Sequence, residues 1–198
     1  MTAVWIAPAA LVSQATPFAI RAERACDVVA REALLDACFG ENRHMRTCQR
    51  LRDGRAPAAG LALSAVRNGE LVGTVRLWHV SAGGVRALLL GPLAVEGAYR
   101  KLGLGAQLMA EAVAAARARG HRAIVLLGDA PYYGRFGFSA AKTRKLLLPG
   151  TFEPQRLLAI ELEDNALDGA WGMIVPTGAA ARKSAPAKRV GRLVPHAA

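Results

Sequence analysis

The sequence predicts a single α/β domain of the α+β type, in which helices cover a mixed β-sheet. One observation is a β-hairpin: two runs rich in β-forming residues, 61–67 and 71–80, flank Asn68-Gly69, a pair typical of two-residue turns. The other is a strand, helix, strand order across residues 87–128, which requires a parallel, right-handed crossover. Because hairpin strands pair antiparallel and crossover strands pair parallel, the sheet must be mixed.

Length and composition agree with one folded domain. The chain has 198 residues, 53% of them hydrophobic and 21% charged, and a domain of this size buries about 70% of its unfolded surface. No apolar run approaches the roughly 20 residues that cross a bilayer, and no Lys or Arg precedes the apolar stretch 4–12, as a secretory signal would require. The three cysteines all lie in the first quarter and cannot form a disulfide framework. We therefore expect a protein of the reducing cytoplasm with no membrane partner.

The first elements follow the hydrophobic pattern. A short strand at 18–21 precedes a helix over 26–39, whose apolar residues recur at helical spacing. After the hairpin, the apolar run 87–95 predicts a central strand. Pro92 has no amide hydrogen, so we expect a kink at Gly91-Pro92, where pairing with a neighbour is interrupted.

The second half supplies the crossover and the last strands. Residues 103–119 are Ala-rich with one apolar face, which predicts a helix ended by Gly120, and residues 122–128 read as the next strand. Two late strands are expected at 156–162 and 171–175.

The chain divides into an N-terminal extension (1–16), the domain itself (17–176) and a basic tail (177–198) that we expect to lack order. The net charge of +11 comes partly from five Lys and Arg residues between 182 and 192, a stretch without acids. Such a tail can simply remain solvated, or it can contact nucleic acid or anionic lipid weakly. It has no aromatic residue for base stacking, so nucleic acid is not expected as the main partner.

A predicted anion site lies where the strand at 87–95 leads into the helix at 103. The first amides of a helix have no intrahelical partner, and the helix dipole places partial positive charge there. Gly103 and Gly105 allow a phosphate to approach the backbone, and Arg100 and Lys101 add charge beside it. This turn predicts a pyrophosphate site.

Three kinds of phosphate-binding turn can be compared with this one. A Walker loop needs Gly-Lys-Ser/Thr, which is absent, and a dinucleotide fingerprint needs a third glycine where the chain has Leu108. Asp129 does end the following strand, as that fingerprint requires, so the dinucleotide reading is a minor alternative. The remaining pattern, Arg100-x-x-Gly103-x-Gly105, resembles that of the GCN5-related N-acetyltransferases (GNAT).

A second segment strengthens this resemblance. Tyr133-x-x-x-Gly137-Phe138 is similar to the Tyr and Gly-Phe element of the family, and residues 91–138 together resemble the YhbS-type branch of predicted acetyltransferases. The resemblance covers about residues 18–176 and includes the order of the elements.

The resemblance implies a mostly antiparallel sheet, splayed open between the parallel strands at 87–95 and 122–128, with acetyl-CoA in the opening. The pantetheine arm would pair with main-chain groups near Leu93 and Val95, as an added strand does. The pyrophosphate would lie between Arg100 and Lys101 and a run of backbone amides: Leu102, Gly103, Leu104, Gly105 and Ala106.

By the same resemblance Tyr133 is the general acid that protonates the departing CoA thiolate, with Tyr132 as its rival. A phenol near pKa 10 can donate to a thiolate near 8.5 while remaining protonated at neutral pH. The base is not assigned, because the strand at 87–95 carries no acid where many members of the family have Glu. Asp129, Glu41 and a water relay are the alternatives, and Asp129 can equally cap a helix.

Two further clusters allow more than one interpretation. Cys38, His44 and Cys48 lack a fourth ligand, so no metal is expected. A basic face between the first helix and the hairpin is either solvated or part of a pocket for an acceptor that bears a carboxylate or phosphate. Its members are Arg43, Arg46 and Arg50, followed by Arg52 and Arg55.

These observations favour an N-acetyltransferase in which a small-molecule or peptide amine attacks acetyl-CoA directly in a ternary complex. None of the three cysteines is placed near the thioester by the motif, so an acyl-cysteine intermediate is not expected. The alternative is a non-catalytic module that binds acyl-CoA and regulates another process. The sequence leaves the acceptor and homodimer formation open.

Overall fold

A computed structural model describes residues 18–181 of the chain. Within this range the chain forms one eight-stranded sheet with three α-helices. The predicted N-terminal extension lies outside the described residues, as does the basic tail from residue 182. No helix in residues 18–181 is both long and apolar enough to cross a bilayer.

The sheet is mixed and mostly antiparallel, as predicted. The strands are β1 (Ala19–Ala22), β2 (Ala62–Arg67), β3 (Glu70–Ala82), β4 (Val85–Val95), β5 (Ala123–Leu127), β6 (Leu146–Leu147), β7 (Leu157–Glu161) and β8 (Gly172–Pro176). The main order is β1-β2-β3-β4-β5-β7, and β8 pairs with both β3 and β6. Only β4–β5 and β6–β8 are parallel pairs. The hairpin turn lies at Asn68-Gly69, both with positive φ, and Arg67 pairs with Glu70 across it.

Two helices cover opposite faces of the sheet. The α-helices are α1 (Val28–Phe39), α2 (Leu104–Ala118) and the short α3 (Ala130–Gly134). Ala94 of β4 packs in the cluster of α1, whereas the next residue, Val95, packs in the cluster of α2. Because successive side chains of a strand point to opposite faces, α1 and α2 lie on opposite sides of the sheet.

Short 3₁₀ helices connect several of these elements. They are Ala25–Asp27, Glu41–Met45, Thr47–Leu51, Gly97–Leu102 and Pro154–Arg156. The predicted helix at 26–39 therefore begins as a 3₁₀ turn before α1. The helix expected from Gly103 starts one residue later, because Gly103 adopts a left-handed conformation and caps it.

The predicted kink is a β-bulge. Leu90 pairs with Leu77 and Leu93 pairs with Val75, so Gly91 and Pro92 together oppose the single residue Arg76. The indole of Trp78 donates to the carbonyl of Gly91 at 2.7 Å and holds the bulge in place.

The same strand separates from its parallel neighbour just before the bulge. Leu88 pairs with Ile124 and Leu89 with Val125, and the β4–β5 pairing ends there. Beyond this point β5 stays paired with β7 as far as Leu127, while β4 stays paired with β3 as far as Val95. The sheet is therefore splayed open between β4 and β5, as the family resemblance implies.

The domain extends slightly beyond the predicted boundary at residue 176. The amide of Ala56 donates to the carbonyl of Ala179 at 2.8 Å, and the amide of Ala181 donates to Gly54 at 2.9 Å. Residues 177–181 thus continue to pair with the body of the domain.

Candidate functional site

The opening between β4 and β5 forms a cleft of about 610 Å³. Its walls come from the end of α1, the two 3₁₀ turns that follow it, the bulge of β4, the end of β5, and α3. The lining residues are Leu35, Phe39, Arg43, Met45, Arg46, Thr47, Cys48, Gln49, Arg52, Leu90, Gly91, Pro92, Leu93, Leu126, Leu127, Tyr133 and Arg156.

The edge of β4 presents main-chain groups toward this opening. The amide of Glu96 donates to the carbonyl of Val72 on β3 at 2.9 Å, so Glu96 faces β3. Because backbone groups alternate in direction along a strand, those of Leu93 and Val95 face away from β3, on the side that β5 has left. The carbonyl of Val95 already accepts from Arg100 Nε at 3.0 Å and from Cys38 Sγ at 3.5 Å.

The start of α2 lies next to the end of β4. Gly103 has φ 78° and is the N-cap of the helix, and the first amides of a helix point out of its end without α-helical partners. The amide of Ala106 is engaged, because it donates to the carbonyl of Gly103 at 3.0 Å. Leu102 ends the preceding 3₁₀ helix. Of the five residues predicted to hold a pyrophosphate, Gly103, Leu104 and Gly105 form the tip of α2.

Gly105 allows the side chain of Tyr132 to approach the first turn of α2 closely. A Cβ at this position would lie 2.8 Å from the hydroxyl oxygen of Tyr132 and 3.8 Å from Cγ2 of Val95. The hydroxyl of Tyr132 therefore lies against the first turn of α2. The sequence suggested Tyr132 only as a rival of Tyr133 for the role of the acid, and nothing in its spacing indicated a place beside the helix start.

The two basic residues before α2 differ in their contacts. The guanidinium of Arg100 turns back onto the end of β4, where Nη2 lies 3.4 Å from Cys38 Sγ in addition to the bond to Val95. Lys101 is exposed. Arg100 thus links the end of β4 to α1, whereas the exposed ammonium of Lys101 is more accessible to a ligand.

Tyr133 lines the cleft from α3. Asp129 caps this helix, accepting from the amide of Tyr132 at 3.3 Å, so the structure gives Asp129 the capping role. The ring of Tyr133 packs against Gly128, where any Cβ would overlap it. It also makes edge-to-face contacts with the rings of Tyr132 and Phe138, with ring centroids 4.9 and 6.2 Å away. Burial is the main cause that raises the pKa of Tyr133 to about 12, and the neighbouring Tyr132 adds to the effect. The phenol is therefore protonated at neutral pH.

The walls of the cleft carry no Asp, Glu or His in the part of the chain that the structure describes. Neither Asp129 nor Glu41, the two acids that the sequence suggested as bases, is among the lining residues. Four arginines are: Arg43, Arg46, Arg52 and Arg156.

These arginines, and Arg50, have different environments. Arg43 forms an ion pair with Asp36 at 2.6 Å, and Arg46 lies 5.0 Å above the ring of Phe39. Arg50 donates to the carbonyl of Pro149 at 2.8 Å and is outside the lining, so the predicted face of Arg43, Arg46 and Arg50 is divided. Arg52, which the sequence placed only in the following loop, reaches the cleft.

The structure brings two cysteines to the site that the sequence had not placed there. Cys38 contacts the end of β4, and Cys48 lines the cleft, where burial raises the pKa of its thiol. Across residues 18–181, no three His, Cys, Asp or Glu side chains group as metal ligands would.

Comparison with known proteins gives one consistent result. Residues 29–138 match the sequence model of the acetyltransferase (GNAT) family. The chain is 33% identical to the uncharacterized N-acetyltransferase YhbS of Escherichia coli K12 over 78% of this chain and 93% of that protein.

Solved structures of acetyltransferases are similar to this chain in fold as well as in sequence. The E. coli YhbS structure in complex with CoA superposes with a TM-score of 0.70 at 31% identity, covering 82% of this chain and 91% of that one. A GNAT acetyltransferase from Brucella melitensis in complex with acetyl-CoA gives a TM-score of 0.56 at 30% identity, covering 73% of this chain and 96% of that one. With this similarity in both sequence and fold, the chain belongs to the GNAT family of acetyltransferases, in a YhbS-like branch.

Proposed function

We propose that the protein is an acetyl-CoA-dependent N-acetyltransferase that transfers the acetyl group to an amine in a ternary complex. The observation that carries this proposal is the splayed β4–β5 opening, which joins an unpaired strand edge to the start of α2. The relatives solved with CoA and acetyl-CoA support it.

The residues present fit the donor. Main-chain groups of Leu93 and Val95 can pair with the amides of the pantetheine arm as a neighbouring strand would. Gly103, Leu104 and Gly105 offer amides to the pyrophosphate, and the absence of a Cβ at Gly105 allows the Tyr132 hydroxyl to lie beside them. The Tyr132 hydroxyl and Lys101 can add to this cradle together with the amide of Leu102, whereas Ala106 contributes less because its amide already donates to the carbonyl of Gly103.

In the reaction, acetyl-CoA supplies the thioester. The neutral amine forms a bond to the thioester carbon, the carbon–sulfur bond breaks with its electron pair on sulfur, and the amine loses one proton. Tyr133 keeps its proton at neutral pH because its pKa is raised to about 12, and it donates a hydrogen bond that stabilises the departing thiolate until the thiolate is protonated.

Removal of the amine proton does not require a carboxylate at the cleft wall. An alkylammonium with pKa about 10.4 is mostly charged at neutral pH. Positive charges nearby disfavour the charged form of the amine, and two arginines in the described walls of the cleft, Arg46 and Arg52, have no acidic partner within residues 18–181. We therefore propose that the proton leaves to solvent, through water, before or during attack.

An acyl-cysteine route is not part of the proposal. Burial raises the pKa of Cys48 and keeps its thiol protonated. The sulfur of Cys38 is engaged with the carbonyl of Val95 and with Arg100.

The lack of a carboxylate in the described walls of the cleft favours one other candidate, a module that binds acyl-CoA without turnover. Release of the CoA thiol, measured with a panel of amines, distinguishes the two. We expect amine-dependent release that falls about 10²- to 10⁴-fold in Tyr133→Phe, with Tyr99→Phe as a matched control, because Tyr99 packs on Phe18 away from the cleft. Binding of acetyl-CoA with no release for any amine would instead support the module.

A further inference from the structure

We propose that the amine acceptor carries an anionic group, a carboxylate or a phosphate, and that Arg52 binds this group in the cleft. This inference rests on the proposed N-acetyltransferase function and specifies the class of its second substrate.

Arg52 stands at the point where the sheet opens. Its Nη1 lies 3.9 Å from the position that a Cβ of Gly91 would occupy, at the bulge of β4. The side chain is half-buried and lines the cleft. Its Nε is fully buried and has no hydrogen-bond partner among the described residues.

The other three arginines of the cleft have partners. Arg43 pairs with Asp36, Arg156 pairs with Glu153 at 3.4 Å, and Arg46 stacks on Phe39 and donates to its carbonyl at 3.3 Å. Within residues 18–181, Arg52 has neither an ion pair nor a side-chain hydrogen bond of this kind. Among the described residues Arg46 also lacks an acidic partner, but its side chain is exposed to solvent, whereas Arg52 is partly buried.

An uncompensated guanidinium in a partly buried position is unfavourable. Arginine does not lose its proton under ordinary conditions, and burial of a charge without a partner destabilises a fold. Burial also lowers the pKa of Arg52, which reports the same lack of solvation. Its planar fork matches the geometry of a carboxylate or phosphate, which can accept two parallel hydrogen bonds.

The phosphates of the donor are not suited to fill this place. They are proposed to bind at the start of α2, beside Val95. Gly91 and Val95 are four residues apart on β4, or about 13 Å along a strand. The pantetheine arm that would span this distance is uncharged, so the anion near Gly91 must come with the acceptor.

The test compares amines that share a carbon chain and differ in the group at the far end. Acetylation of 4-aminobutyrate, 1-butylamine and 1,4-diaminobutane is measured with acetyl-CoA, together with O-phosphoethanolamine against ethanolamine. We expect kcat/KM for at least one anionic amine to exceed that of its neutral partner by about 10- to 150-fold, the effect of one hydrogen-bonded charge. The two anionic amines distinguish a carboxylate from a phosphate.

In Arg52→Met the ratio of kcat/KM between the anionic amine and its neutral partner should fall close to one, mainly because KM for the anionic amine rises. Arg86→Met, which removes an exposed charge outside the cleft lining, should keep the wild-type ratio. A wild-type ratio near one, or a ratio that Arg52→Met leaves unchanged, would overturn the inference. An equal loss of kcat for charged and neutral amines would assign Arg52 to the thioester carbonyl instead and also overturn it.

A second measurement needs no turnover. With CoA at saturation, acetate and inorganic phosphate should raise the melting temperature of the wild type and not that of Arg52→Met. Arg52→Met alone should melt no lower than the wild type, since it removes an unpaired charge. If CoA itself does not bind, the proposed function fails; if CoA binds and amines react without preference for charge, only the present inference fails.

Discussion

Replacing Gly105 by alanine should separate stability from cofactor binding. The glycine lies in the first turn of α2, at a backbone conformation that alanine can adopt, and alanine is favoured over glycine in helices by up to about 1 kcal/mol. The added methyl group would lie 2.8 Å from the Tyr132 hydroxyl, so that side chain must shift. We expect the folded variant to melt within a few degrees of the wild type.

Its affinity for CoA should fall. Cα–Cβ bonds in a helix tilt toward its N-terminus, so the methyl group, and the Tyr132 hydroxyl that it displaces, lie beside the amides of Gly103, Leu104 and Gly105 that are proposed to bind phosphate. Loss of one charge-assisted hydrogen bond costs about 1.5–3 kcal/mol, which raises Kd about 10- to 150-fold.

Calorimetric titration with CoA measures this change directly. Gly97→Ala is the matched control, because a Cβ at Gly97 would contact nothing within 4 Å, and its Kd should equal that of the wild type. If Gly105→Ala is folded and binds CoA as tightly as the wild type, the phosphates do not bind at the start of α2.

Three further predictions concern the acid, its support and the stability of the domain. Because the pKa of Tyr133 is raised to about 12, kcat/KM should rise with pH as the amine loses its proton and show no decline near pH 10, where an ordinary phenol ionises; a decline there would contradict its burial. Gly128→Ala should displace the Tyr133 ring and lower kcat by about 10²-fold, as expected for a displacement of about 1 Å, while leaving the Kd for CoA measured by calorimetry nearly unchanged; unchanged kcat would show that the ring position is not needed. Asp27 is buried. Hydrogen bonds from the Arg21 side chain hold the pKa of its carboxyl well below the usual range, and a weaker contribution comes from the hydroxyl of Ser64. Because the folded-state pKa is depressed, this stabilisation is present above the unfolded pKa of about 4 and is lost as the pH falls further. Asp27→Asn should therefore lower the free energy of unfolding at pH 7 by about 1.5–3 kcal/mol. Denaturant titrations should show that this difference from the wild type shrinks below about pH 4, and a difference that is constant with pH would contradict the ion pair.

The sequence predicted the features of the cleft that depend on local chemistry. Pro92 cannot donate to a ladder, so the irregularity of β4 was visible without coordinates, and it is a bulge beside the strand separation. The glycines at 103 and 105 indicated the helix start in the same way. Asp129 followed by Pro131 contained the signal of a helix cap, but a five-residue helix is too short to show periodicity.

The acceptor side of the cleft was not predictable in this way. The 3₁₀ turns over residues 41–51 have no hydrophobic repeat, and contacts distant in sequence help to fix their position. Thr47 Oγ1 donates to the carbonyl of Thr151 at 2.7 Å, and Arg50 donates to Pro149. Whether Arg50 or Arg52 points into the cleft depends on these contacts, which no local pattern contains.

Acetyl-CoA is proposed to lie between the separated strands β4 and β5 with its phosphates at the start of α2. Hydrogen–deuterium exchange with and without acetyl-CoA tests this placement most directly, because the proposed contacts to the pantetheine arm and the pyrophosphate include main-chain amides in both segments. We predict that the ligand slows exchange in peptides covering residues 91–95 and 102–107 and leaves the distant strand β8 unchanged. No protection in either segment, or protection confined to other elements, would contradict the account.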